Sequence, residues 1–333
     1  MGTSTSTELA IRTRGVSKRY GSLWAVRDLD LEVPAGEIFA LLGPNGAGKT
    51  TAVEILQGFR ARTGGEASVL GVDPARADAA WRARVGVVPQ STGAFNDLTV
   101  AETLTHFAGF YPAPSPVGEV LDVVGLTEQR DRRCSVMSGG QKRRLDVALG
   151  IIGDPELVFL DEPTTGLDPV GRRQTWGLVR ALAERGRTVV LTTHYLDEAE
   201  ALADRAGIIV RGVLAEIGTV ADLGGRSEQP TGVRLRRTGT LSDASLPPLP
   251  DGTTVDVDEV RAGGTVELST TAPTAVLAAL LAWAAAAAVP ELDGLNVRAP
   301  TLEDAYLALI SDDAEPGHHE PGPADGDLAE DAA

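Results

Sequence analysis

Cysteine is almost missing. Cys134 stands alone in 333 residues, which excludes an intramolecular disulfide and any cysteine-built metal site and points to a reducing, cytoplasmic setting. Lysine is scarce too, with Lys18, Lys49 and Lys142 against 27 arginines, and the net charge is −17. Residues 312–333 hold eight of the acids, from Asp312 to Asp331, and no Lys or Arg, yet the rest of the chain is acidic as well. No nucleic-acid partner is expected of such a body, because that affinity rests on neutralising phosphates with a basic face. Long apolar runs are also lacking. The longest, Ala275 to Val289, is 15 residues of mostly alanine, short of the ~20 that cross a bilayer. The first fifteen residues are polar rather than basic then apolar, so no secretory signal is read. The expectation is a soluble chain of two domains, since domains rarely exceed ~300 residues.

What is present begins with Gly43-Pro44-Asn45-Gly46-Ala47-Gly48-Lys49-Thr50, a full match to G-x-x-x-x-G-K-[ST]. It lies between the apolar run Ile38 to Leu42 and a helical run from Thr51 to Gln57, the context the motif requires. Glycines let the backbone N–H groups turn inward, and the following helix adds its positive end, making a nest for polyphosphate. Lys49 then reaches the β- and γ-phosphates and the Thr50 hydroxyl holds Mg²⁺.

Upstream, residues 9–14 and 26–33 alternate apolar with polar, as half-buried antiparallel strands do. Tyr20 falls on the turn between them, where an aromatic ring either stacks on an adenine or pins the turn; Trp24 is a second candidate. Downstream come a strand at Glu66 to Leu70, a helix around Ala75 to Arg84, and a buried strand at Val85 to Val88 that ends at Gln90. Residues 91–136 turn helical, with a capping box at Thr99 to Glu102 and a break at Pro112, Pro114 and Pro116. Ser138-Gly139-Gly140-Gln141 heads an amphipathic helix on which Leu145, Ala148, Leu149 and Ile152 recur. Bare N–H groups at such a start bind anions, although an ordinary capped helix has the same pattern.

Leu157 to Leu160 reads as a central parallel strand delivering Asp161-Glu162 at its end. Beside a phosphate loop two such carboxylates divide the work: Asp161 completes the metal shell and Glu162 deprotonates water. Thr188 to Thr192 is another buried strand, ending at His194, which can donate to a γ-phosphate. Gln90, Asp161, Glu162 and His194 are thus all expected at strand ends on the side of the phosphate loop. A helix over 196–203 and a hairpin around Arg211-Gly212 close this domain near residue 220. A linker at 221–232 and a small α+β domain to 311 follow, with strands at 232–237, 253–257, 264–270 and 294–298 and helices at 274–288 and 301–310. Residues 312–333, including His318-His319, are expected to be a disordered acidic tail.

Taken together, residues 9–220 resemble the nucleotide-binding subunit of an ABC transporter, whose elements occur here in the family's order. The resemblance implies an α/β P-loop NTPase of the ABC type, with an antiparallel β lead-in and a helical subdomain at about 91–136. It matches Tyr20 to the adenine-stacking aromatic, residues 43–50 with Thr51 to the Walker A loop, Gln90 to the Q-loop that also touches the metal, Met137 to Gln141 to the signature, Leu157 to Glu162 to Walker B, Asp168 to the D-loop and His194 to the switch histidine. Met137 stands where leucine is usual, and Thr165-Gly166 where Ser-Ala is common. The stretches His194 to Glu200 and Pro300 to Tyr306 are similar to the daunorubicin-exporter branch, which pairs with ABC-2 permeases. That similarity implies ATP and Mg²⁺ as cofactors, a peripheral position on the membrane, and two copies closing head to tail. Ser138 and Gly140 of one copy would reach the γ-phosphate held at Lys49 of the other. A soluble ABC-type ATPase of translation or DNA repair is the alternative, usually marked by tandem cassettes, a long coiled-coil insert or zinc cysteines; a P-loop kinase would have no use for Ser138 to Gln141. For the permease, the expected docking surface is the aromatic group Phe95, Phe107, Phe110 and Tyr111 beside Gln90.

Overall fold

The structure, a computed structural model, describes residues 8–90, 97–226, 229–236, 246–257, 264–304 and 306–307. The chain opens with an antiparallel hairpin of two 12-residue strands, β1 (Leu9–Tyr20) and β2 (Leu23–Pro34). Both outrun the alternation in the sequence. Register shifts beside Gly15 and Asp28, each with positive φ, change which face the side chains meet, so the continuing strand loses its period of two. Tyr20 therefore ends a strand instead of lying in a turn. β3 (Ile38–Leu42) has every residue buried and runs through residues 43–48 into α1 (Lys49–Leu56). β4 (Gly64–Val69) returns to β1, completing a three-stranded sheet in the order β2-β1-β4.

The helix expected around Ala75 to Arg84 is instead two pieces, a 3-10 turn at Pro74–Arg76 and α2 (Ala79–Ala83). Asp73 and Asp78 each cap one of them, and a second N-cap interrupts the first helix. β5 (Val85–Val88) follows and ends at Pro89-Gln90. α3 (Val100–Ala108) starts with both bonds of the Thr99–Glu102 capping box. After the prolines comes α4 (Val117–Val123), with Pro116 as its cap. Residues 91–96 of this insert, Phe95 among them, lie outside the described residues. α5 (Gly139–Ile151), β6 (Leu157–Asp161), α6 (Pro169–Glu184), β7 (Thr188–Thr193), α7 (Leu196–Leu202), β8 (Arg205–Val210) and β9 (Val213–Thr219) complete this part.

Its six-stranded sheet has the order β5-β6-β7-β3-β8-β9, parallel except where β9 turns back on β8. The near-continuous apolar strands are explained by two cores. Ala40, Leu42, Val158, Leu160, Val189 and Leu191 face the helices, while Phe39, Leu41, Leu157, Phe159 and Val190 face α1 and the antiparallel sheet. Strands covered on both faces have no reason to alternate in polarity.

Of the stretch 221–232, residues 221–226 pack against the first unit. Leu223 is buried in the helix-side core, and Arg226 donates to the carbonyls of Val220 and Pro300 and pairs with Glu200 of α7 at 2.9 Å. Beyond them β10 (Thr231–Arg236), β11 (Thr254–Val257), β12 (Thr265–Thr270), α8 (Pro273–Ala286) and β13 (Asn296–Arg298) form a second unit. Its strands, in the order β11-β12-β10-β13, are all antiparallel. Val233, Leu235, Val266 and Leu268 share a small core with Val276, Leu280 and Ala284 of α8. The chain then comes back to the first unit: Leu302 is fully buried in its core and donates its N–H to Glu200 Oε1 at 2.8 Å. The acidic tail lies outside the described residues. Among the described residues no helix is long and apolar enough to cross a membrane.

Candidate active site

Strand order decides which loops meet. β5, β6, β7 and β3 are consecutive in the sheet, so the residues after each, Gln90, Glu162, His194 and Gly43, emerge in a row along one edge. The loop after β3 needs glycine where neighbouring backbone crowds it. Gly48 caps α1 with φ 107°, and a Cβ there would sit 2.1 Å from the Ala25 carbonyl oxygen. At Gly43 a Cβ would lie 2.3 Å from the Ile209 carbonyl oxygen. Lys49, the first residue of α1, is buried and donates from Nζ to the carbonyls of Gly43 at 2.7 Å and Pro44 at 3.1 Å. Burial pushes its pKa below the usual lysine range, while the charges of Glu162 and Asp161 act in the opposite sense. The carboxylates of β6 are thus close enough to be felt at the phosphate loop.

Glu162 is where the strand ends converge. Its Oε2 accepts from Gln90 Nε2 at 2.9 Å and from Thr165 Oγ1 at 3.1 Å, and its Oε1 lies 3.2 Å from His194 Nδ1. Asp161, one residue back, accepts from Thr192 Oγ1 at 2.5 Å. Ser138 caps α5 with both capping-box bonds, and Ser138 and Gly139 are exposed at the surface. Asp168 caps α6, accepting from Gly171 N at 2.6 Å. Thr50 is exposed and Thr51 half-buried on the first turn of α1. Tyr20 stands apart from the carboxylates, 42% exposed, its hydroxyl bonded to Arg60 and its ring under Lys18 Nζ. Trp24, also partly exposed, precedes the Ala25 that backs Gly48.

Arg143 was not among the residues the sequence singled out. It is 6% exposed on α5, and its guanidinium donates to the carbonyls of Pro89 (2.6 Å), Gln90 (3.3 Å), Asp161 (2.9 Å) and Pro163 (2.9 Å). Burial lowers its pKa from the usual arginine value, opposed by Asp146, Asp161 and Glu198. In Lys142-Arg143-Arg144 nothing marks the middle residue as the buried one. Thr192 and Thr165 were missed for the same reason, as hydroxyls in a strand and a turn. Of the aromatic group in the insert, Phe107 and Tyr111 pack on the helix-side core, whereas Phe110 is 71% exposed.

A glycine-built phosphate nest, a parallel sheet with a carboxylate pair at a central strand end, and a separately capped Ser-Gly-Gly-Gln helix define a P-loop ATPase of the ABC type. The chain belongs to the ABC transporter family, as one of its ATP-binding subunits, and it is an ATPase. Residues 26–165 match the ABC transporter family, and residues 231–301 match the C-terminal domain of ABC transporter domain-containing protein-like chains. It is 38% identical to a daunorubicin resistance ATP-binding protein of Streptomyces coeruleorubidus over 92% of this chain and 97% of that one. It is 34% identical to the linearmycin resistance ATP-binding protein of Bacillus subtilis (strain 168), over 90% of this chain and 97% of that one. With the daunorubicin/doxorubicin resistance ATP-binding protein of Streptomyces peucetius identity is 44%, over 64% of this chain and 66% of that relative's length. Among solved structures, an ATP-binding subunit of an ABC transporter aligns with a TM-score of 0.58 at 25% identity, over 64% of this chain and 91% of that one. These relatives lend no support to a role in translation or DNA repair.

Proposed function

We propose that this chain is the motor of an ABC-2-type exporter and that its hydrolysis drives a drug, an antibiotic or a lipid-like molecule through a separate membrane permease. The observation that carries the hydrolytic part is the convergence of Gln90, Thr165 and His194 on the Glu162 carboxylate. Such a carboxylate, held at a strand end beside Lys49, is placed to take a proton from an attacking water. Lys49 neutralises the β- and γ-phosphates, His194 contacts the γ-phosphate and Tyr20 stacks on the adenine. The transport part is supported by the resistance roles in the relatives' names.

Mg²⁺ fits the donors present. The Thr50 hydroxyl, the Asp161 carboxylate and the amide oxygen that Gln90 keeps free of Glu162 are all hard oxygen ligands. Among the described residues no cluster of His, Cys, Asp or Glu makes a dedicated cage, as suits an ion that keeps waters and substrate phosphates in its shell. When bound, Mg²⁺ supplies neutralisation of phosphate charge. Two copies would close head to tail, the exposed Ser138 and the half-buried Gly140 of one facing the nucleotide of the other; a dimeric ADP- and phosphate-bound cassette is among the structural relatives. The permease is expected on the insert near Phe110, with Phe95, outside the described residues, as the companion position. The test is fractionation of cells expressing the full chain with and without an ABC-2 permease: the chain should enter the membrane fraction only with it. Pelleting without any permease, or failure to pellet with one, overturns the exporter assignment.

A further inference from the structure

Glu198 lies in the first turn of α7, where an acid usually faces water. Its neighbour Asp197 does, pairing with Arg172 at 3.1 Å. Glu198 is fully buried instead. Trp176 Nε1, on α6, donates to its Oε1 at 3.2 Å, and the hydroxyls of Thr193 and Thr164 lie against the same carboxyl. Glu198 Oε2 and Thr164 Oγ1 are both buried with no hydrogen-bond partner among the described residues. The charge of Glu198 is felt at the buried Arg143 guanidinium, but no cation makes an ion pair with it among the described residues, and desolvation holds the carboxyl above its usual range. Burying such a group costs more than burying a leucine at the same helix position, so packing alone gives no reason for it.

The three contacts lie on three different segments. Thr164 is two residues past Glu162, Thr193 immediately precedes His194, and Trp176 belongs to the helix that Asp168 caps. We propose that Glu198 is a positioning residue for hydrolysis: its buried carboxyl fixes the loop after Glu162 and the His194 loop relative to each other and to α6. A neutral carboxyl suits the task, since one oxygen accepts from Trp176 and the other, still unpartnered, would carry an O–H beside the hydroxyls of Thr164 and Thr193. The role rests on Glu162 and His194 acting as proposed above. A displacement of their loops would spoil the alignment of the water without touching the phosphate loop that binds ATP.

The test is steady-state ATP hydrolysis by the full chain, with kcat and KM separated and thermal unfolding recorded beside them. Glu198→Ala should lower kcat ~10- to 100-fold, as a misplaced reacting group does, with KM for ATP little changed. Glu198→Gln should recover most of the loss, because an amide accepts from Trp176 and still donates to a threonine. Trp176→Phe, which keeps the ring and removes the donor, should lower kcat in the same sense; it decides the matter if Glu198→Ala does not fold. A Glu198→Ala protein with a lower Tm but unchanged kcat, a Gln variant as slow as Ala, or an unaffected Trp176→Phe each overturns the proposal. Glu162→Gln run in parallel separates the two levels. If it hydrolyses ATP at the normal rate, the hydrolytic assignment fails and takes the Glu198 role with it; if it is inactive while Glu198→Ala is normal, the Glu198 role alone is lost.

Discussion

Glu162 holds a backbone φ of 45°, a conformation that a non-glycine residue keeps only when its surroundings over-determine it. Thr192 provides that restraint, accepting the Glu162 N–H with both its carbonyl and its hydroxyl at 3.1 Å. The side chain is then held from outside by Gln90, Thr165 and His194, so Glu162→Gln changes the chemistry with little change of shape. Hydrolysis should fall by about 10²–10⁴-fold, the usual contribution of a general base, while ATP binding persists and an ATP-bound dimer accumulates. Phosphate release and gel filtration in ATP measure the two effects, and an unchanged rate removes Glu162 from the role of base. The place of Glu162 at a strand end was legible because four buried apolar residues immediately precede the carboxylate pair. Arg143 and Glu198 were not legible, because a charge on a helix reads as solvent-facing. Only the tertiary contacts, four carbonyls in one case and an indole with two threonines in the other, show that it points inward.

Among the elements, α5 joins the two halves of the proposed composite site. Its capped N-terminus presents Ser138 and Gly139 at the surface, while Arg143, on its second turn, is bonded to the ends of β5 and β6 inside the same molecule. A site completed by another copy should be repairable by mixing. Ser138→Arg retains a sound phosphate loop and Lys49→Ala a sound signature helix, so each alone should be inactive and the mixture should regain one working site. Purely null activity in the mixture would place both halves in one chain. The elements themselves were readable where one periodicity ran without interruption, as in β5, β6, β7 and α5. They were misread where a bulge or an extra cap broke it, as at Gly15 and Asp28 in the hairpin and at Asp78 before α2. Such a local feature changes the phase of the pattern without changing the composition that a sequence displays.

At the scale of the molecule, the second unit returns to the first at α7, where Glu200 receives both the Arg226 guanidinium and the Leu302 N–H. Leu302→Asp should destabilise the full chain by roughly 3 kcal/mol, the sum of a lost core contact and a buried, unpaired carboxylate. Thermal unfolding of the full chain measures this, and an unchanged Tm would mean that the segment rests on the core without belonging to it. In sequence, residues 221–232 resemble a tether because the stretch is polar and glycine-bearing. Buried Leu223 and the bonds of Arg226 are single residues whose partners lie far along the chain.

Glu200 and Glu198 lie two residues apart on one short helix, the first facing the second unit and the second facing the loops of Glu162 and His194. That arrangement bears on how such a protein can be cut and spliced. A crossover placed between residues 223 and 231, where a two-domain plan suggests a seam, would separate the recipient cassette from the Leu302 that fills its core. The smallest piece that can be exchanged intact therefore runs from the first strand through at least Leu302, and chimeras joined further upstream should be recovered mainly as aggregates.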